Sequence, residues 1–147
     1  MTPRLRALAA ILAAGAVSGC AAPQLTAPDL AARAQRNMIE AQQEFAGRKV
    51  IVNGVVQTTT LVTRGQLIIG AGPYYAPATV STRQDQIPVV VLQPGSVFCY
   101  FEPFDIEDAA HLKPGDAVSL QCHVDSFRPG SPAPVSVLST CRNSDRW

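Results

Sequence analysis

Histidine, net charge and long apolar runs are all scarce in this 147-residue chain, and each scarcity excludes something. His111 and His123 are the two histidines, and no Cys-x-x-Cys, His-Glu-x-x-His or Gly-x-Ser-x-Gly pattern occurs. Zinc centres and the common nucleophile and metalloprotease motifs therefore lack their residues. Twelve basic side chains stand against eleven acidic ones, a formal charge of +1. No basic excess exists to draw in nucleic acid or an anionic membrane surface, so neither is expected as a charge-driven partner. No apolar run approaches the ~20 residues that a membrane-spanning helix needs.

What is present begins at the N-terminus. Arg4 and Arg6 form a positive region, and Ala7 to Val17 is a short apolar one. Val17-Ser18-Gly19-Cys20 follows at once. This pattern resembles a bacterial lipoprotein signal, in which small residues precede the modified cysteine. The resemblance implies that residues 1–19 are a signal peptide and that Cys20 carries lipid. Two or three acyl chains anchor a protein stably where one is marginal. Ala21 in place of Asp favours, by analogy, the outer membrane, with the domain facing the periplasm. Lipid at Cys20 is the membrane contact expected. The mature part, residues 20–147, has the size of one domain. Without Arg4 and Arg6 its formal charge is −1.

Three further cysteines lie in a compartment where disulfides persist: Cys99, Cys122 and Cys141. Cys122 and Cys141 sit on two strand-like runs, Ala117 to Val124 and Val135 to Cys141. Their midpoint falls in Arg128-Pro129-Gly130-Ser131-Pro132, a turn sequence. A hairpin would set them face to face, which favours a Cys122–Cys141 bridge; Cys99–Cys141 is the alternative if those strands are neighbours. Cys99, between Phe98 and Tyr100, is then a buried free thiol acting as a small apolar residue.

Residues 20–28 read as a short lipidated tether. Asp29 to Ala46 reads as one helix, capped by Asp29 and ended at Gly47, with Leu30, Ala34, Met38, Ala41 and Phe45 on its apolar stripe. From Lys49 the period changes to two, with Gly54 marking a bulge or bend. Residues 62–86 read as a long excursion with a small hairpin, and long loops in compact domains are often functional. Ile87 to Leu92 and Val97 to Phe101 are strands around the Gln93-Pro94-Gly95-Ser96 turn. Asp105 to Leu112 is a short helix stopped by Lys113-Pro114-Gly115-Asp116, and residues 143–147 are a polar tail.

This order suits a mainly β fold: a five-stranded Greek-key barrel with an N-terminal helix and a short helix between strands three and four. Gly47 to Val56 reads like the entry of an OB-fold barrel. With Val97 to Phe101, Leu112 to Leu120, Cys122 and Cys141, it resembles the tRNA_anti-like OB-fold family over about residues 37–142. The resemblance implies an OB-type barrel over 29–142, and it transfers no nucleic-acid-binding residue. If Gln66 to Ile69 were a core strand, the barrel would have six strands.

No catalytic constellation emerges, so an enzyme is not expected. Glu107, Asp108 and His111 can share one helical turn, as ordinary surface pairs do. Glu102, Asp105, Glu107 and Asp108 suit a helix start. His123 points away from Cys122 on the same strand. No cofactor or metal is expected. The chain therefore reads as a non-catalytic envelope lipoprotein that binds another envelope protein or a glycan. Tyr74 and Tyr75, in the long loop, and Tyr100 are the candidate anchors. The alternative is a structural or stress-tolerance lipoprotein without a specific ligand.

Overall fold

The computed structural model describes residues 21–63, 67–69, 72–74 and 86–144. Its strands are β1 (Gln24–Thr26), β2 (Lys49–Thr63), β3 (Leu67–Ile69), β4 (Gly72–Tyr74), β5 (Gln86–Leu92), β6 (Val97–Phe101), β7 (Ala117–Arg128) and β8 (Val135–Asn143). Its α-helices are α1 (Ala27–Arg36), α2 (Met38–Phe45) and α3 (Ile106–Ala110). The fold is mainly β. Six strands form one sheet in the order β1-β2-β5-β6-β8-β7, and a β2–β7 pairing closes five of them into a ring.

The long strand β2 makes closure work. Lys49 to Val55 pairs antiparallel with β7, and Val56 to Thr63 pairs antiparallel with β5. The ladder shifts between Val56 and Thr58, so the irregularity expected at Gly54 falls just beyond it. Gly54 answers a different need. A Cβ there would stand 3.0 Å from the Ala27 Cβ and 3.1 Å from Leu92 Cδ1. The small residue lets the start of α1 close onto the sheet.

The sheet carries one strand more than the five expected. Gln24 to Thr26 adds to the edge of β2 in parallel, opposite Ile51 to Asn53. Part of the stretch expected to be tether is thus held on the sheet, and Ala27 is fully buried. The β3–β4 hairpin is a separate two-stranded sheet, so Leu67 to Ile69 adds no strand to the ring.

The single helix expected from Asp29 to Ala46 is two. Thr26, not Asp29, caps α1, its hydroxyl accepting from the Asp29 backbone N–H at 3.2 Å. Asn37 then leaves the helical region at φ −156° and caps α2, its side chain accepting from the Glu40 N–H at 3.2 Å. A side-chain amide that competes for backbone groups breaks a helix whose apolar stripe would otherwise run on. The stripe survives the break: Leu30, Ala34, Ala41 and Phe45 are all buried. Arg33 joins the halves, ion-paired to Glu44 at 3.0 Å with its guanidinium 5.3 Å over the Phe45 ring. Gln42 accepts from the Phe127 N–H at 2.8 Å and ties α2 to β7.

Two apolar clusters result. The larger gathers the inward residues of the ring with both N-terminal helices, including Leu30, Val52, Leu92, Phe101, Leu120 and Leu138. The smaller comprises Val62, Val89, Val91, Phe98, Val135 and Val137, with Ile87 and Tyr100 packed against it. Because side chains alternate along a strand, Val89 and Val91 join one cluster while Val90 and Leu92 join the other.

Candidate functional site

The Cys122–Cys141 bridge expected from the hairpin is present, and Cys99 is the free, buried thiol. Two ladder irregularities place the bridge inside the core. One lies between Val124 and Ser126 and the other between Gln121 and His123. They run in opposite senses, so Gln121↔Arg142 keeps the offset of Arg128↔Val135. At the irregularity between Gln121 and His123, Thr140 is the extra residue of β8, with φ 48°. A non-glycine residue in the left-handed region marks such a bulge. The bulge turns Thr140 outward and Cys141 inward, three residues after inward-facing Leu138.

The same bulge borders a groove of about 320 Å³. Its walls are Lys49, Gln121 and His123 from the sheet, Thr140 and Arg142 from β8, and Glu102 and Asp105 from the segment after β6. Lys49 is paired across the sheet with His123, and Gln121 with Arg142. The Arg142 guanidinium donates twice to Gln121 Oε1, at 3.0 and 2.9 Å, which fixes the two side chains together on the groove wall. A 3-10 turn, Pro103–Asp105, holds Phe104 at the rim. That ring is 80% exposed, the most exposed of the large apolar side chains among the described residues.

The expected anchors fall elsewhere. Tyr100 is half-buried on β6, opposite Val89, and packs on the smaller apolar cluster. It does not line the Phe104 groove. Tyr74 ends β4. Cys20 and Tyr75 lie outside the described residues. Asp105 occupies the N-cap position of α3 without a side-chain capping bond, and it also lines the groove. The sequence signal for this groove was an aromatic placed between Pro103 and Asp105, outside any strand alternation that would bury it.

Among the described residues one group has metal-ligating spacing, Cys99, Cys122 and Cys141, whose sulfurs all lie within 4.8 Å of one another. Two of them are joined as the disulfide. Burial pushes the third, the Cys99 thiol, far above its ordinary 9.0, so it is held protonated.

No family model matches the chain, and no curated protein matches it. A solved structure from Klebsiella pneumoniae subsp. pneumoniae, described as a "putative nucleic acid-binding lipoprotein", is similar to it. The match has a TM-score of 0.56 at 12% identity and covers 84% of this chain and 92% of that one. At that identity the likeness concerns the fold. It nonetheless corrects one expectation, that charge balance excludes nucleic acid. A protein of this fold carries a nucleic-acid description, and net charge is a property of the whole chain. Local charge is what a polyanion meets, and the Phe104 groove mixes Lys49, His123 and Arg142 with Glu102 and Asp105.

Proposed function

We propose that the chain is an envelope lipoprotein anchored through lipid at Cys20, in the outer membrane and facing the periplasm. Its ring is an OB-type Greek-key barrel serving as a non-catalytic binding module, and an envelope glycan is the ligand of the Phe104 groove. The pairing order of the ring and its helix between β6 and β7 support the OB reading. The lipobox-like Val17-Ser18-Gly19-Cys20 and the fold shared with a lipoprotein support the anchor.

The observation that carries the ligand class is the exposed Phe104 ring among side chains of both hydrogen-bonding senses. A sugar ring offers an apolar C–H face for stacking and hydroxyls that both donate and accept. Lys49, Gln121 and Arg142 supply donors, while Glu102 and Asp105 supply acceptors. A few placed polar groups around an apolar surface are the usual make-up of a small-ligand site.

The test is co-sedimentation of the lipidated protein, in detergent, with purified peptidoglycan. Phe104→Ala should weaken binding roughly ten-fold, as loss of an aromatic anchor does. Unchanged sedimentation would overturn the assignment of the groove. A single-stranded oligonucleotide serves as competitor. Displacement by it and not by soluble glycan fragments would give the groove to nucleic acid. Binding of neither would leave the structural, ligand-free lipoprotein as the better account.

A further inference from the structure

We propose that Cys99 is the attacking thiol of an internal thiol–disulfide exchange that converts the Cys122–Cys141 bridge into a Cys99–Cys141 bridge. The proposal is independent of what the groove binds.

Proximity is the first argument. A free thiol and both sulfurs of a disulfide lie within 4.8 Å of one another, all buried in the larger core cluster. The packing therefore holds the reacting atoms close before any reaction begins.

Topology then selects the product. The strands run β6-β8-β7, so Cys141 lies on the strand between those carrying Cys99 and Cys122. A Cys99–Cys122 bridge would span two strand spacings, about 9–10 Å between Cα atoms. That exceeds the roughly 7 Å that a disulfide tolerates. A Cys99–Cys141 bridge joins adjacent strands. Cys99 pairs with Leu138 and Phe101 with Cys141, so the two cysteines stand two residues apart along neighbouring strands, a diagonal of roughly 8 Å between Cα atoms; a short slide of β8 closes it, whereas Cys122 lies a further strand away.

The step balances without an outside reagent. Cys99 gives up its proton and its sulfur bonds Cys141 Sγ. The Cys122–Cys141 bond breaks, and Cys122 leaves with the electron pair and takes the proton. One disulfide and one thiol exist before and after, so there is no net oxidation.

Burial supplies the restraint. Exchange requires the thiolate, and the closed core keeps the Cys99 thiol protonated. Opening of the β7–β8 hairpin, which admits water, therefore starts the exchange. The consequence is mechanical. The staple moves from β7–β8 to β6–β8, and Cys122, which lines the Phe104 groove, is released from β8.

The experiment uses the full chain with no added reductant, held in urea below its unfolding midpoint. Samples are taken over time, denatured in excess N-ethylmaleimide, and the label is mapped by peptide mass spectrometry. The label should begin on Cys99 and move to Cys122, with Cys141 unlabelled throughout. Label that stays on Cys99 at all times overturns the proposal, and so does label on Cys141. A Cys122→Ala variant, exposed to oxidised glutathione, gives the second reading. It should form the Cys99–Cys141 bridge, seen as a linked peptide pair. Two separately labelled thiols in that variant would contradict the exchange geometry.

Discussion

Phe101 and Phe104 stand three residues apart and occupy opposite surroundings. Phe101 ends β6 and is 2% exposed inside the ring, whereas Phe104 sits on a 3-10 turn and is 80% exposed. The same side chain serves two ends. On the strand, alternation directs it into the core. Two residues beyond the strand, Pro103 has ended the ladder, and the next ring is carried to a rim of charged and amide side chains. An aromatic-rich segment is therefore no single signal. Phe98, Tyr100 and Phe101 belong to packing, and Phe104 belongs to a surface.

Substitutions should separate the two environments. Phe101→Ala should lower stability by about 3–5 kcal/mol, the usual result of emptying a buried aromatic site, read as a shift of the urea midpoint. Next in size is an alkaline effect on the interior. The Cys99 pKa is raised by burial, so its contribution is present below its ordinary 9.0 and is lost as pH rises beyond that value. Above about pH 9 the unfolded chain releases this proton and the folded one keeps it, a slope of about −1.4 kcal/mol per pH unit. Urea titrations at several alkaline pH values should show this slope in the parent and not in Cys99→Ala. Asn37→Ala removes the cap that starts α2 and should cost about 1 kcal/mol, seen in thermal unfolding. Phe104→Ala should change stability by less than about 0.5 kcal/mol, despite removing the same ring as Phe101→Ala. If the two phenylalanine variants destabilised equally, the contrast between core and rim would fail.

Much of the fold was legible because alternation and turn chemistry are local. The β5–β6 hairpin, the β7–β8 hairpin and the small hairpin inside 62–86 all follow from apolar runs bounded by turn residues. The Cys122–Cys141 pairing was legible for a subtler reason. Counting outward from the turn works only because the two bulges cancel, and no local sequence rule announces either one. Two features were hidden. Asn37 interrupts a continuous helical stripe, and a side-chain cap there outweighs periodicity. The β1 strand is three residues long, and parallel edge pairing with β2 is non-local and leaves no pattern. The groove was harder still. Lys49, Glu102, Gln121, His123, Thr140 and Arg142 are scattered over the sequence, and ring closure alone brings them together. Tyr100 was read as an anchor because aromatics suit interfaces, but its place on β6 packs it against Val89 and its neighbours.

The most direct test of the central claim is a backbone chemical-shift titration of the protein with soluble peptidoglycan fragments. The account predicts shifts gathered at Lys49, Phe104, Gln121, His123 and Arg142, and their loss in Phe104→Ala. No shifts, or shifts gathered on β5 and around Tyr100 instead, would contradict it.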